Sequence, residues 1–325
     1  MRLLVTGAAG FIGSNFVRQL LSGAYPKHTT TSVTVLDKLT YAGVRANLDP
    51  VGDSPRYRFV QGDICDGDLL AQLIPGHDAI VHFAAESHVD RSISGASDFV
   101  RTNVLGTQKL LQAAVNAGLE RFVHVSTDEV YGSIEQGSWS EEFPLAPNSP
   151  YSASKASSDL LARSYFRTFG LDVVITRCSN NYGPYQFPEK VIPLFVTNLM
   201  DHLPVPLYGD GLNVRDWLHV DDHCRGIVMV LDQGRTGEIY NIGGGTELTN
   251  KELTYRLLEA MGADEEMIRR VEDRKGHDRR YSVDITKISE ELGYAPQVDF
   301  SAGLVETIAW YRDNESWWRP LKDGS

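Results

Sequence analysis

Six short runs of β-branched and aliphatic residues recur along the first half of the chain, at Leu3 to Thr6, Val33 to Leu36, Tyr57 to Val60, Ala79 to His82, Phe122 to Ser126 and Val173 to Thr176. Each reads as a strand. Between them, Phe11 to Ser22, roughly Asp98 to Ala117, and Tyr151 to Phe169 carry apolar residues at helical spacing. This alternation predicts parallel strands joined by crossover helices, hence an α/β protein on a doubly wound parallel sheet. Beyond Cys178 the rhythm breaks. Pro184, Pro188, Pro193, Pro204 and Pro206 punctuate short segments, and helical patterns at Asp221 to Leu231 and Lys251 to Ala260 follow at irregular intervals. A second, smaller lobe is expected, made of residues 179–216 and 241–325, with 1–178 and roughly 217–240 forming the first. The return is expected because a helical stretch followed by Gly237-Glu238-Ile239-Tyr240 again reads as a crossover and strand. The tail from Asn314 onward, with Trp317 and Trp318, points to no particular element.

The 325 residues supply ample apolar material for a core. Acidic side chains outnumber basic ones by 43 to 31, a formal charge of −12 spread without long single-sign runs. Nucleic acid and membrane surfaces attract clustered cations, so neither is an expected partner. No apolar run approaches the length of a spanning helix, and the glycine-rich turn at Gly7 arrives before a signal-peptide core could be completed. Cys65, Cys178 and Cys224 form no CxxC pair and leave one thiol over, which indicates neither a disulfide framework nor a cysteine zinc site. A cytoplasmic protein without a bound metal is expected.

The turn Gly7-Ala8-Ala9-Gly10-Phe11-Ile12-Gly13 follows the first strand and opens the first helix. Glycines there let the backbone approach a pyrophosphate, whose charge the unpaired amides of a helix N-terminus favour. Asp37 ends the second strand 24 residues after the last of these glycines, where an acid binds a ribose 2′-hydroxyl and repels a 2′-phosphate. The combination predicts a Rossmann-type site that takes NAD. Tyr151 and Lys155 stand at i and i+4, on one helix face. A neighbouring ammonium and a bound nicotinamide cation would favour the phenolate and let it accept an alcohol proton as hydride leaves. His82, His124 and His219 sit in apolar surroundings and are expected to be packed or hydrogen-bonded; His88 is a possible site neighbour.

The G-x-x-G-x-x-G spacing resembles that of the short-chain dehydrogenase/reductase family. Gly62-Asp63-Ile64, His82-Phe83-Ala84-Ala85 and Thr102-Asn103-Val104-Leu105-Gly106 are similar to further elements of that family, in the same order. Thr127, Tyr151 and Lys155 resemble its catalytic triad, with Thr in place of the commoner Ser. The resemblance implies NAD contacts from Gly7, Gly10, Phe11, Ile12, Gly13, Asp37, Lys38, Leu39, Thr40, Asp63, Ile64, Phe83, Ala84, Ala85, Ser87, Thr102, Tyr151, Lys155 and Asn181.

Thr127-Asp128-Glu129-Val130-Tyr131-Gly132 narrows the match to the nucleotide-sugar 4,6-dehydratases, since related epimerases carry small uncharged residues where Asp128 and Glu129 stand. A dehydratase needs two further proton transfers, one beside the new carbonyl and one to the departing hydroxyl. Ala85 to Ser92, Cys178 to Lys190 and Arg274 to Tyr281 are also similar to this family, and the likeness runs from residue 2 to about 312. It implies dTDP-glucose as substrate, held by Ser87, Thr127, Asn180, Glu189 and Lys190, with Pro206, Leu207, Tyr208, Arg215, Asn250, Arg274 and His277 around the nucleotide diphosphate. Arg215 and Arg274 can offer paired donors to phosphate oxygens, and Tyr208 an apolar surface to thymine. A homodimer through a four-helix bundle, from the helices near 98–117 and 151–169, is also implied. The competing expectations are an epimerase or a dehydratase acting on a GDP- or UDP-sugar, and a non-catalytic NAD-sensing protein.

Overall fold

In the computed structural model, which describes residues 1–323, the strands run β1 (Arg2–Thr6), β2 (Ser32–Asp37), β3 (Tyr57–Gln61), β4 (Ala79–His82), β5 (Arg121–Thr127), β6 (Val173–Cys178), β7 (Asn180–Tyr182), β8 (Val205–Tyr208), β9 (Val214–His219), β10 (Ile239–Ile242), β11 (Thr246–Thr249) and β12 (Ile268–Val271). The helices of the first half are α1 (Phe11–Ser22), α2 (Gly67–Leu73), α3 (Val89–Ser94), α4 (Ala96–Phe99), α5 (Thr107–Ala117) and α6 (Pro150–Phe169). Those of the second half are α7 (Val191–Met200), α8 (Val220–Gln233), α9 (Asn250–Met261), α10 (Thr286–Leu292), α11 (Phe300–Asp313) and α12 (Glu315–Asp323).

Seven strands form one sheet in the order β10-β6-β5-β4-β1-β2-β3, and every pairing in it is parallel. Side chains alternate across it as strand geometry demands: Leu3 and Val5 enter one apolar core and Leu4 the other. The chain order reverses between β1 and β4, so the crevice for a ligand opens at the carboxyl ends of these strands. The sheet is the predicted doubly wound one. Helix α8 and strand β10 return to it, whereas residues 217–219 complete β9 of a separate three-stranded sheet, β11-β9-β7. A two-stranded pair, β12-β8, and helices α7, α9 and α11 enclose a third core around Phe195, Trp217, Leu257 and Trp318. The tail that showed no pattern is helical, and Trp318 is wholly buried there.

The helix expected from residue 98 begins at Ala96 and passes through a π-helical turn over Val100–Gly106 before continuing as α5. The wider turn carries Asn103, whose amide donates to the Glu86 carbonyl at 3.0 Å and to the Ser154 hydroxyl at 2.8 Å, joining the β4 loop to α6. Such turns interrupt helical periodicity by one residue, which apolar spacing alone does not reveal.

Helix α6 starts on a capping box between Ser149 and Ser152 with Pro150 at its first position, and stops at Gly170 in the left-handed conformation. Its buried stripe includes Tyr151, Lys155 and Asp159, one turn apart. Asp159 accepts from Arg177 Nε of β6 at 2.9 Å and lies 3.3 Å from His124 Nε2 of β5, and all three are almost fully buried. Those partners outweigh desolvation and hold its carboxyl down to about 2. Removing the charge leaves the Arg177 guanidinium buried without its counter-ion. We expect Asp159→Asn to cost about 3–5 kcal/mol of folding stability, read as a lower urea midpoint at neutral pH. Because the folded-state pKa is depressed, the contribution is full above the ordinary aspartate range and fades as pH falls toward 2.

Candidate active site

Two cavities meet at the carboxyl end of the large sheet. The larger, about 310 Å³, runs from the Gly7–Gly13 turn across β1, β2, β4 and β5; the smaller, about 210 Å³, lies among β8, β9, α7 and the 274–277 loop. Ser87, Glu129, Asn180, Glu189 and Lys190 line both, so the two are continuous.

In the larger cavity the first turn is built around close backbone approach. Gly7 has φ +69°, and a Cβ there would stand 2.4 Å from the amide nitrogen of Ala84; one on Gly13 would stand 2.6 Å from the Gly7 carbonyl. Helix α1 begins without a side-chain cap, which leaves its first amides available to an anion. Asp37 is nearly buried, and its carboxylate accepts the amide hydrogens of Ala9 and Leu39, both at 2.8 Å, so it also braces the turn. Burial raises its pKa and these two bonds oppose the rise. Glycine cradle, free helix N-terminus and acidic strand end together fit a dinucleotide with an unphosphorylated ribose. Of the residues expected to contact it, Gly7, Gly10, Phe11, Ile12, Gly13, Asp37, Lys38, Thr40, Asp63, Ile64, Phe83, Ala84, Ala85, Ser87, Thr102, Tyr151, Lys155 and Asn181 line this cavity. Leu39 does not. Its backbone turns left-handed at φ +56° to reach Asp37, and its side chain packs against the core under the sheet.

Strand β5 delivers the chemical groups. Thr127 caps a 3₁₀ turn over Asp128–Tyr131 by accepting the Glu129 amide hydrogen, and its hydroxyl donates to Asp128 Oδ1 at 3.2 Å. Tyr151 lies against the same cavity as Thr127, while Lys155 Nζ donates to the Val125 carbonyl at 2.8 Å. An ammonium and a bound nicotinamide cation together are expected to favour the phenolate; in the protein alone, burial first and then the Glu129 carboxylate push Tyr151 well up. Burial lowers Lys155 in turn.

The adjacent acids have unlike surroundings. Asp128 is 2 % exposed, with Oδ2 unpartnered; burial first, then the charges of Glu129 and Asp216, raise its pKa well above the ordinary range. Glu129 is also raised by burial, but Arg215, Lys190 and Arg274 all oppose that rise. One carboxyl is therefore favoured as the acid and the other as the base.

In the smaller cavity stand Ser87, Asn180, Glu189, Lys190, Pro206, Leu207, Tyr208, Arg215, Asn250, Arg274 and His277, all expected there; Thr127 faces the larger cavity instead. Arg215 is buried, with its guanidinium 4.2 Å from the Tyr281 ring centroid and bonds to the carbonyls of Val214 and Asp278. Asn180 Oδ1 and Glu189 Oε1 are buried without partners, as acceptors awaiting hydroxyl donors would be. His88, a possible neighbour from the sequence, also lines it, and the structure adds Val191, Leu194 and Phe195 from one face of α7, together with Asp90, Trp217 and Thr254. The α7 residues have ordinary core-facing spacing, so nothing in the pattern separates a cavity wall from a core. His82 bonds Thr6 and Thr107, His124 faces Asp159, and His219 caps α8, all away from the chemistry.

A seven-stranded parallel sheet, a dinucleotide cradle and a Thr/Tyr/Lys set beside a second cavity define an NAD-dependent nucleotide-sugar enzyme of the short-chain dehydrogenase/reductase class. Residues 4–307 match the model of the GDP-mannose 4,6 dehydratase family, and the chain belongs to that family. It is 64% identical over 322 residues to the dTDP-glucose 4,6-dehydratase of Streptomyces niveus, covering 99% of this chain and 96% of the relative. The crystal structure of DesIV, a dTDP-glucose 4,6-dehydratase from Streptomyces venezuelae with NAD and TYD bound, superposes with a TM-score of 0.98 at 69% identity, over 99% of this chain and 100% of that one. The UDP-glucose 4-epimerase of Thermotoga maritima shares the fold at a TM-score of 0.89 and 31% identity, over 97% of this chain and 100% of its own.

The backbone contacts around Gly13 make the dinucleotide turn intolerant of a methyl group. We expect Gly13→Ala to weaken NAD binding about tenfold, because overpacking against backbone costs about 1–3 kcal/mol, as measured by titrating NAD into protein stripped of the dinucleotide.

Proposed function

We propose that this chain is a dTDP-glucose 4,6-dehydratase, converting dTDP-D-glucose to dTDP-4-keto-6-deoxy-D-glucose and water. One observation carries the reading: two adjacent carboxyls with opposed electrostatic surroundings share a cavity with Tyr151. An epimerase has no work for them. Bound NAD supplies the hydride acceptor for C4 and the donor for C6, so the cycle is redox-neutral.

Tyr151 accepts the proton of the C4 hydroxyl. Its raised pKa makes it a base only in the loaded enzyme, where a second positive charge joins that of Lys155. Thr127 orients the phenol and the hydroxyl it attacks. With C4 oxidised, the hydrogen on C5 becomes acidic, and Glu129, kept ionised by Arg215, Lys190 and Arg274, removes it. Asp128, kept protonated among carboxylates, gives its proton to the C6 hydroxyl as water leaves. As C6 receives the hydride, Glu129 returns its proton to C5, and the proton taken up by Tyr151 balances the one that Asp128 gave. Arg215 and Arg274 hold the diphosphate and Tyr208 packs on the base. The family model's description names a GDP sugar, but relatives at 62–64% identity are dTDP-glucose enzymes, which supports the dTDP reading. Turnover of dTDP-glucose against UDP- and GDP-glucose, followed by the alkaline absorbance of a 4-keto sugar, tests it.

In Asp128→Asn/Glu129→Gln, substrate should still reduce the enzyme-bound NAD while little 4-keto-6-deoxy product is released; full turnover would refute the two roles. In the native enzyme, activity should fall on the acid side as Glu129 gains a proton, above the usual glutamate range, and on the alkaline side as Asp128 loses one. Asp128→Asn should remove the alkaline fall from its residual rate.

The proposal extends to a homodimer through a four-helix bundle. Val100 and Leu105 of the π turn and Leu160 of α6 are exposed on elements that pack together, an apolar face that a second copy would cover. Leu160→Glu should shift the sedimentation coefficient from dimer to monomer.

A further inference from the structure

Ser87 to Asp90 line the smaller cavity and lead into α3, and beyond Ser87 the proposed chemistry makes no use of this segment. Three ties join it to residues distant in the chain. Lys190 Nζ donates to the Ser87 carbonyl at 3.0 Å. Arg91 donates to Glu189 Oε2 from Nε at 3.3 Å and Nη2 at 3.2 Å, with its guanidinium 3.8 Å from the Tyr41 ring centroid. Asp90 receives Arg274 in a two-pronged pair, Nε to Oδ1 at 2.6 Å and Nη2 to Oδ2 at 2.8 Å.

The third tie conflicts with binding. A guanidinium offers a phosphate the same planar fork that it offers a carboxylate, and one fork edge cannot serve both at full strength. Asp90 and Arg274 line the cavity together with Arg215, Lys190 and His277. Glu129 and Glu189 line the same cavity, but Asp90 is the carboxylate that takes the fork of Arg274. A diphosphate entering the cavity would have to take Arg274 from it.

We propose that Asp90 is an affinity-determining residue: an internal anion that occupies Arg274 in the absence of ligand and competes with the diphosphate of the nucleotide sugar for it. The inference rests on the reading of Arg274 as a diphosphate ligand. Asp90 thereby weakens the hold on every diphosphate alike, substrate and product, and returns to Arg274 as product departs. The side chains of Arg274 and Asp90 are 25% and 40% exposed. The competition is accordingly worth about two- to fivefold in affinity, the span of a partly exposed ion pair.

The test is calorimetric titration of NAD-loaded full-length enzyme with dTDP and, separately, with thymidine, which has no phosphate. Asp90→Asn should tighten dTDP about two- to fivefold, leave thymidine unchanged, and lose its advantage as salt is raised. Asp90→Glu should restore affinity toward the native value. Arg274→Met should weaken dTDP and abolish the gain when combined with Asp90→Asn. If Arg274→Met weakens dTDP but Asp90→Asn leaves it unchanged or weaker, Asp90 only braces the segment and the competition is refuted, with the diphosphate reading intact. Equal tightening of dTDP and thymidine refutes it as well. If Arg274→Met leaves dTDP affinity unchanged, the reading of Arg274 falls and the inference with it.

Discussion

A carboxylate sealed from water decides where the chemistry of this protein can happen. Asp159 is held by Arg177 and His124 from two neighbouring strands, and only one orientation of α6 satisfies it. Two turns toward the helix N-terminus, the same stripe carries Lys155 and then Tyr151, so the anchor sets the depth and rotation at which the phenol meets the sheet. The Lys155 ammonium donates to the Val125 carbonyl of β5, the strand that ends at Thr127 and leads into the turn carrying Asp128 and Glu129. Strand and helix are thus locked in register by charge within a region where a slip would strand an unpaired ion.

Given that frame, the division between acid and base is a matter of neighbours. Asp128 and Glu129 are adjacent in the chain and both lose solvation, yet Asp216 adds negative charge beside the first, and three cations surround the second. The cations come from β9, from the residue before α7 and from the loop before β9's neighbour at Arg280, so the polarity at the end of β5 depends on elements outside the large sheet. The same cations face the diphosphate region. In the function proposed above, one positive wall serves both binding and proton chemistry, and Asp90 pairs with one of its cations.

Much of the large sheet was legible in the chain. Short runs of aliphatic and β-branched residues leave a strong apolar signal, and the observed strands match the expected ones or extend them by one or two residues. The dinucleotide turn was legible because close approach requires glycine itself, and no other side chain reproduces that space. The second lobe was less so: β7, β8, β11 and β12 are only three or four residues long, too short for a period to emerge. That Leu39 does not line the cavity was not legible, because its backbone turns to complete a hydrogen bond to Asp37 that no spacing announces.

By itself the sequence determined the doubly wound sheet, the turn for a dinucleotide and the presence of Tyr151, Lys155, Asp128 and Glu129 on elements that end at one edge, because helix and strand periods are local properties of the chain. Only the tertiary structure decided which carboxyl is surrounded by cations, that the phenol stands above its ordinary pKa, and that Arg274 is held by Asp90. Those outcomes depend on charges up to 184 residues apart meeting where water is scarce, and electrostatic energy follows distance through space and the medium between, with no record in the order of residues.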